Sequence, residues 1–440
     1  MAPRLTFVSV GGHGCRVWQD TPVISYEEAL QLLRTGAALL PRRAVPAAAA
    51  AGEVTSDAVT ARLTVPGFNN AAMDGYVLRA AATSTATPAS PVRLRVSGLI
   101  AAGSAPPRTP EPATRGDEAW EIMTGAPVPA TLDAVVPVER VRLEAVTGQP
   151  AVVVITSPLQ PGQNVRLAGE DFVAGQTVLE SGTRLAPHHL MGLAACGVDE
   201  VPVAARPRVA VLTTGSELEH QGASLGPGRI RDANGPYLQA LLPLLGAAPV
   251  TVATAADEAA GLRDRLRQLA GMADLVLTTG GVSAGRLDLL PDAVRGIGGE
   301  IVFHKVAIRP GKPVLHARLP GGAVLFGLPG NPLAVAVGMR FLVIPALRAM
   351  QGLAPECPTP AVTMTAVRGR GDLRFFGKAV VDVDAAGQRQ VRILPGQESF
   401  RIAPLLRANC WAIVPEGVGE IAAGGVLQTL PLYPDDSTSP

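Results

Sequence analysis

Four short loops in the second half of the chain combine glycine with hydroxyl, amide or charged side chains. They are "TTGSEL" (213–218), "TTGGVSAG" (278–285), "RPGKP" (309–313) and "GLPGNP" (327–332). Glycine lets the backbone approach a ligand closely, so several N–H groups can point at one phosphate or other oxyanion. Arg309 and Lys312 would add full positive charges. Each loop alone could simply serve a turn, but the four together predict an oxyanion site.

Three acidic residues stand near these loops. Glu217 and Asp288 follow glycine-rich turns, and Asp257 comes after the apolar run "TVATAA". A carboxylate at a helix start normally caps the helix. Beside a phosphate site the same carboxylates would instead hold Mg²⁺, a hard cation that prefers oxygen ligands. The chain has neither a G-x-G-x-x-G at the first helix nor a P-loop lysine, so a differently built phosphate site is predicted.

Two residues in the first third of the chain raise a similar question. Asp74, in "NNAAMDGYVL", is a lone acid among small and apolar neighbours, followed directly by Gly75. Asp-Gly is a common turn pair, so an ordinary turn is one interpretation. In "EIMTGAPVP", Thr124 and Gly125 could shape a turn or present a hydroxyl and an N–H to an anion. The residues alone leave both questions open.

The elements that must position the four loops are indicated by a change of period near Arg206. Apolar strands such as "RVAVLTTG", "PVTVATA", "DLVLTTGG" and "AVLFGLPG" alternate with helices that we expect from Pro236, Asp257, Leu287 and Pro332. Apolar strands without alternation indicate a mostly parallel sheet covered by helices on both faces. Ligands of such sheets bind at the carboxyl ends of the strands, where the loops fall.

The remaining segments predict smaller units. "SYEEALQLLRTG" has Ser25 and, three positions later, Glu28, a capping box that predicts a helix ending at Gly36. Short β-branched runs between about 57 and 155 predict a small β domain, and short strands at 358–432 predict another. Nothing in the first twenty residues specifies an element.

Composition narrows the class of protein. The 440 residues include 38 basic and 37 acidic side chains, and no basic stretch with interleaved aromatics indicates nucleic-acid binding. The four cysteines lack C-x-x-C or Cys/His spacing, which argues against a structural zinc site or a disulfide framework. Two uncharged runs, 235–256 and 320–339, are interrupted by prolines, so we expect buried elements and no membrane span. With no signal peptide indicated, the expected location is the cytoplasm.

Seven motifs occur together and in order along the chain. They are "PGFNNAAMDGYVL", "EIMTGAPVPATLDAVVPVE", "GQNVRLAGEDFVAGQTVL", "RPRVAVLTTGSEL", "ADLVLTTGGVSAGRLD", "VAIRPGKP" and "GLPGNPLAV". The chain resembles the molybdopterin molybdenumtransferases, the family of MoeA and of the gephyrin E domain, from about Thr21 to Leu432. The resemblance implies a multidomain α/β plus β fold. Its parts would be a loose arm (1–20), an elongated domain I (21–56 and 160–204), an inserted β domain II (57–159), a molybdopterin-binding, doubly wound, MogA-like α/β domain III (205–352) and a C-terminal β-barrel domain IV (353–440).

The resemblance also implies a reaction and its participants. Molybdate would be inserted into adenylylated molybdopterin in the presence of Mg²⁺, AMP would be released, and the molybdenum cofactor would form. Family members are homodimers whose active cleft lies between the α/β domain of one subunit and the inserted β domain of the other. Further partners implied are a molybdopterin adenylyltransferase and the apoproteins of molybdoenzymes. Asp74 would be reached across the dimer.

The family's functional residues fall on positions of suitable type. The implied catalytic residues are Asp74, Thr124, Glu217, Asp257 and Asp288, with Glu217 and Asp288 as metal ligands. The implied cofactor-binding residues are Gly280, Gly281, Ser283, Arg309, Gly311, Lys312, Pro329, Gly330, Asn331 and Pro332. Arg309 stands where the family commonly has lysine.

Four positions depart from the family pattern. Asn69 and Ala71 replace the acid and serine of "FDNSAMDGY", Ser216 replaces the acid of "TGDEL", and Arg286 replaces an acid before the last site. Each change removes negative charge or a hydrogen-bonding group near the cleft. The changes keep two alternatives open, a tungstate-preferring transferase and a non-catalytic scaffold or paralogue that binds molybdopterin, because fold does not fix function. An adenylyltransferase is disfavoured, because the β domain with Asp74 would have no task.

Overall fold

A computed structural model of the chain describes residues 22–105, 117–144, 150–219, 222, 224–255, 259–281 and 289–434. Three six-stranded sheets dominate these ranges, and short paired strands join them. One sheet is an α/β sheet and the other two are built of β strands alone, so the predicted multidomain α/β plus β fold is confirmed. The residue limits of the individual domains stay predictions.

The first helix is Tyr26–Thr35, as its capping pattern predicts. Ser25 Oγ accepts a hydrogen bond from the Glu28 backbone N–H at 3.0 Å, and the helix ends before Gly36. Its apolar face is buried, with Leu33 packed into the core of the α/β region.

Short antiparallel ribbons pair segments that lie on either side of the first β sheet in the chain. The pairs are Arg42–Pro46 with Glu200–Ala204, Val59–Thr60 with Thr177–Leu179, and Asn70–Ala71 with Val165–Arg166. The first two pairs share a buried core with the helix Pro187–Ala195. Each ribbon joins a segment that precedes the first β sheet to one that follows it, so this sheet is inserted between segments that pair with each other.

The inserted sheet is mixed, and its strands Gly75–Leu78 and Ala134–Pro137 are buried along their whole length. In spatial order its strands are Ala134–Pro137, Gly75–Leu78, Glu118–Ile122, Val92–Ile100, Val152–Ile155 and Val141–Glu144. Neighbouring strands are antiparallel except for the central pair, which is parallel. In the strand Gly75–Leu78, consecutive side chains point to opposite faces of the sheet, so Tyr76 packs into one core and Val77 into another.

The α/β sheet follows the predicted series of strands and helices. In spatial order its strands are Ala248–Ala255, Arg208–Thr214, Leu275–Thr279, Val324–Leu328, Leu315–Arg318 and Glu300–Phe303. The first four are parallel and the last two are antiparallel additions. The helices are Asn234–Leu244, Ala259–Met272 and Leu290–Gly296, which begin two or three residues from the predicted starts.

A long helix connects the α/β sheet to the last domain. It comprises Pro332–Gly338, one wider π turn over Met339–Val343, and Ile344–Met350. Within the described ranges this is the one helix whose length and composition would suit a membrane span, but 89% of its apolar window is buried inside the protein. It is therefore packed as a core helix.

The C-terminal region is a closed barrel of five strands. They are Thr359–Thr363, Arg374–Val383, Arg389–Ile393, Cys410–Val414 and Val426–Pro431. The barrel closes because the long strand pairs with Arg389–Ile393 on one side and with Cys410–Val414 on the other. The first residues of the strand Arg374–Val383 also pair with Ile308–Arg309, so the start of the "RPGKP" loop lies against the barrel.

Candidate functional site

Three of the four predicted loops meet at the carboxyl edge of the parallel strands. The register places Thr279 beside Leu328 in one pairing and beside Thr213 in another. Thr214 Oγ1 donates to Thr279 O at 3.1 Å, and Gly280 N–H donates to Leu328 O at 3.0 Å. The loops that follow these strands are thus fixed side by side, as the strand pattern predicts.

Gly280 shows why this edge needs glycine. Its φ is +89°, and a Cβ there would lie 2.6 Å from Thr214 O, too close for any other residue. A Cβ on Gly330 would reach within 3.9 Å of Gly280 Cα, so the "TTGG" and "GLPGNP" loops pass close to each other. The two loops therefore lie close enough for one ligand to contact both.

The "RPGKP" loop packs beside the start of the long helix. Gly311 has φ +99°, and a Cβ there would lie 3.4 Å from Ala334 O. The backbone carbonyl of Lys312 accepts hydrogen bonds from Val306 N–H and Val314 N–H, both at 3.0 Å. The side chains of Arg309 and Lys312 are exposed. The loop backbone is therefore fixed while its two charges stay available to a ligand.

The "GLPGNP" loop is bound by a residue of the barrel that sequence reasoning missed. Asn331 Nδ2 donates to Ser399 Oγ at 3.1 Å, and Leu333 N–H donates to Ser399 O at 3.2 Å. Pro329 is buried, while Gly330 and Asn331 are exposed. Ser399 thus belongs to the surroundings of this loop, although it is 68 residues from Asn331 in the chain.

Asp232 and Asn234 are two further residues that the motifs did not identify. Asp232 Oδ1 accepts hydrogen bonds from Asn234 N–H and Gly235 N–H, both at 2.9 Å, and so caps the helix Asn234–Leu244. The buried Asn234 amide donates to Gly330 O at 2.8 Å. The pattern "DANGP" contains the signal, because an acid just before a helix with proline in its first turn is typical of a cap.

Glu217 is exposed at the same edge, and its carboxylate lies over its own loop. A Cβ on Gly215 would be 2.8 Å from Glu217 Oε1. The interpretation of Glu217 as a helix cap is wrong, because the strand Leu218–Glu219 follows and pairs with Ile230–Arg231. Its oxygens therefore remain available to a cation or a ligand.

Asp74 and Thr124 form a second group, at the rim of the inserted sheet. Thr124 donates from its backbone N–H at 2.6 Å and from its hydroxyl at 2.8 Å, both to Asp74 Oδ1. These two hydrogen bonds, the backbone one first, lower the pKa of the exposed Asp74 carboxyl below its usual value. No hydrogen bond among the described residues joins this pair to the α/β loops, so one protomer carries two separate groups.

The interpretation of Asp74–Gly75 as an ordinary turn is wrong. Gly75 begins a strand and lies between Ile122 and Pro137 of the neighbouring strands. A Cβ on Gly75 would lie 2.0 Å from Val136 O, so glycine is required by the close approach of two strands. The turn is formed instead by Gly125, whose φ is +77°.

The departures from the family pattern have local explanations where they are described. Asn69 Oδ1 accepts a hydrogen bond from Ala168 N–H at 2.9 Å, which the amide can do without negative charge. Ala71 is fully buried, and its backbone exchanges hydrogen bonds with the Thr124 turn. Ser216 is exposed, and its carbonyl accepts from the Arg229 guanidinium. These contacts keep the loops in place without the usual side chains.

Part of the predicted site is not described. Asp257, Ser283, Asp288 and Arg286 lie outside the described residues. Within the described ranges, no group of three or more His, Cys, Asp or Glu side chains is arranged to hold a metal ion. The exposed Glu217 carboxylate offers the hard oxygen donors that suit Mg²⁺.

Family models match nearly all of the described chain. They are the MoeA N-terminal region, domains I and II, at 24–197, a probable molybdopterin-binding domain at 210–349, and the MoeA C-terminal region, domain IV, at 360–432.

Named relatives and solved structures agree with these models. The chain is 40% identical to molybdopterin molybdenumtransferase 2 of Mycobacterium tuberculosis over 87% of this chain and 93% of that protein. It is 34% identical to the molybdopterin molybdenumtransferase of Synechococcus elongatus over 91% and 98%. The crystal structure of the molybdopterin biosynthesis MoeA protein of Pyrococcus horikoshii OT3 superposes with a TM-score of 0.79 at 27% identity, covering 93% of this chain and 99% of that one. The chain belongs to the molybdopterin molybdenumtransferase family.

Proposed function

We propose that the protein completes the molybdenum cofactor by inserting molybdenum from molybdate into adenylylated molybdopterin, with release of AMP. The observation that carries the proposal is the joined set of loops at the carboxyl edge of the α/β sheet, with Arg309 and Lys312 exposed on a loop beside them. Such a substrate has phosphate groups, which need N–H donors and cations. The similarity to named molybdenumtransferases supports the same reaction.

The α/β edge would bind the molybdopterin end of the substrate. Gly281 and Gly330 would offer backbone N–H groups to a phosphate, and Lys312 would add a full positive charge. Gly280, whose own N–H donates to Leu328 O, would shape the loop that presents them. The hydrogen bond from Asn331 to Ser399 would support the "GLPGNP" loop at this edge. Ser283 would contribute a hydroxyl from the same loop as Gly281.

Asp74 and Thr124 would act in the metal-insertion step. The lowered pKa keeps Asp74 ionised, and both Thr124 donors go to Oδ1, so Oδ2 can accept a hydrogen bond from a bound group. Because the pair is separate from the α/β loops within one protomer, we propose a homodimer in which Asp74 enters the partner's cleft.

Glu217 and Asp288 would hold Mg²⁺, which would neutralise phosphate charge during AMP release, and Asp257 would be a further catalytic carboxylate. The exposed carboxylate of Glu217 fits this task.

We further propose a cytoplasmic location. The substrate would come from a molybdopterin adenylyltransferase, and the product would pass to apoproteins of molybdoenzymes. Neither nucleic acid nor a membrane is proposed as a partner.

The experiment is AMP release from adenylylated molybdopterin by purified protein with Mg²⁺, in the presence of molybdate, tungstate or neither. Release that depends on molybdate, and that falls at least about a hundredfold in Asp74→Asn, supports the transferase. AMP release that depends on tungstate and not on molybdate would identify tungstate as the substrate. A folded protein that binds molybdopterin without releasing AMP would be the non-catalytic scaffold. Arg142→Gln, which changes an exposed side chain of the inserted domain, is the matched control.

A further inference from the structure

Lys378 is a fully buried lysine between the barrel and the α/β domain. It lies in the strand Arg374–Val383 with 0% of its surface exposed. Phe376, two residues earlier on the same face of the strand, stacks on Phe341 of the long helix with ring centroids 3.6 Å apart. The side of the strand that carries Lys378 therefore faces the α/β domain and not the barrel interior.

The ammonium group of Lys378 binds one loop at two points. Nζ donates to Gly396 O at 2.7 Å and to Arg401 O at 2.9 Å. The backbone N–H of Lys378 donates to Gln397 Oε1 at 3.0 Å, and Gln397 Nε2 donates back to Lys378 O at 3.0 Å. The segment 396–401 is thus fixed at both ends by one residue.

Burial of the charged Lys378 side chain costs free energy of folding. Burying an ammonium group loses its hydration, and here Nζ donates to two neutral backbone carbonyls. Burial lowers the pKa of Lys378, although Glu398 opposes the shift. An apolar residue of similar size would avoid the cost of burying a charge, so packing alone does not explain the lysine.

The segment that Lys378 fixes presents Ser399 to the predicted site. Ser399 lies between the two carbonyls that Lys378 binds, and it accepts hydrogen bonds from Asn331 Nδ2 at 3.1 Å and from Leu333 N–H at 3.2 Å. A shift of either end of the segment would move Ser399 away from Asn331. The "GLPGNP" loop would then lose its support from the barrel.

We propose that Lys378 is a positioning residue, which fixes segment 396–401 so that Ser399 holds the "GLPGNP" loop in the shape that binds the substrate. The proposal concerns contacts within the chain, and its effect on turnover rests on the proposed function. Lys378 itself does not touch the substrate.

The first arm of the test is independent of activity. Trypsin cleaves after Arg401, which is exposed but held through its carbonyl. In folded Lys378→Met protein, cleavage after Arg401, mapped by mass spectrometry, should be about tenfold faster than in the wild type, because two hydrogen bonds that close the segment are lost. Thr363→Val is the matched control, since it removes a buried hydroxyl of the same barrel that donates to Thr365 O. Equal cleavage in all three proteins would overturn the proposal.

The second arm is a double-mutant cycle with Ser399→Ala on AMP release. Lys378→Met should raise KM for adenylylated molybdopterin about tenfold with a smaller change in kcat. Its further effect in the Ser399→Ala background should be smaller, because only the bond from Leu333 N–H to Ser399 O is then left to lose. Independent effects of the two changes would contradict action through Ser399. Absence of turnover in the wild type would overturn the proposed function, while the cleavage comparison would still decide whether Lys378 fixes the segment. If Lys378→Met does not fold, Lys378→Gln, which keeps an N–H donor, serves in both arms.

Discussion

Thr124 donates two hydrogen bonds, 2.6 Å from its backbone N–H and 2.8 Å from its hydroxyl, to a single oxygen of Asp74. The two residues lie 50 positions apart in the chain. Their contact orders the loop "MTG" against the start of the strand Gly75–Leu78, and it gives the exposed carboxylate a fixed orientation. Thr124 therefore serves the site by holding Asp74, which explains why a threonine and an acid occur together at this rim.

Thr124→Val tests this arrangement through the pKa of Asp74. The variant keeps the backbone N–H, which is the larger cause of the lowered pKa, and removes only the hydroxyl. The pKa of Asp74 should therefore rise only part of the way towards its usual value of 3.8. Because a lowered pKa stabilises the folded state above the usual value, the contribution is lost as the pH falls through the folded pKa. NMR titration of the Asp74 carboxyl measures the shift, and an unchanged pKa would mean that the hydroxyl contributes nothing.

Gly75→Ala should destabilise the inserted sheet strongly. A Cβ at this position would lie 2.0 Å from Val136 O, so the two strands must separate to accept it. We expect the free energy of unfolding to fall by about 3 kcal/mol, at the upper end for overpacking. Gly67→Ala is the control, because its nearest atom to a Cβ is 3.6 Å away. Denaturant unfolding of both variants gives the comparison, and equal stability would show that the strands adjust freely.

The sequence predicts those parts of the molecule whose signal is local. The helix after Ser25, the strands that end in glycine-rich loops and the helix after Pro332 depend on neighbouring residues, and the structure confirms them. The loops at the parallel edge come together because carboxyl ends of parallel strands share one edge. That rule needs only the order of strands and helices.

The missed features depend on contacts between distant segments. The strand Leu315–Arg318 adds to the sheet antiparallel to Val324–Leu328, and its short apolar pattern has no feature that separates it from a loop. Ser399 and Asn234 contact the "GLPGNP" loop from 68 and 96 residues away. From the sequence, a turn at Asp74–Gly75 stays one of two open interpretations, because the sequence cannot show that Val136 O of another strand lies 2.0 Å from where a Cβ on Gly75 would be.

His316 should make stability depend on pH below neutrality. It is buried between Phe303 and Phe326, and burial lowers its pKa from 6.5 to about 4. Between these values the unfolded chain binds a proton that the folded chain does not, so this contribution to stability is complete above pH 6.5 and falls as the pH drops towards 4. The loss should approach 1.4 kcal/mol for each pH unit, or about 3 kcal/mol in all.

His316→Phe should remove that part of the pH dependence, while His188→Gln, a change at an exposed histidine, should leave it. Unfolding by denaturant between pH 7 and pH 5 measures both slopes. A wild-type slope that persists in His316→Phe would assign the effect to another group.

Asn234→Ala should weaken substrate binding more than it weakens the fold. The side-chain amide donates to Gly330 O at 2.8 Å and ties the first helix of the α/β domain to the "GLPGNP" loop. Without this bond the loop samples other shapes, so KM for adenylylated molybdopterin should rise about tenfold, the equivalent of one hydrogen bond. Asn409→Ala is the matched control, because the side-chain amide of Asn409 bridges Val381 N–H and Val381 O within the barrel. Steady-state AMP release gives KM and kcat for both variants. A similar rise in both would mean that loss of any bridging amide loosens the protein generally, and that the bond to Gly330 has no special part in binding.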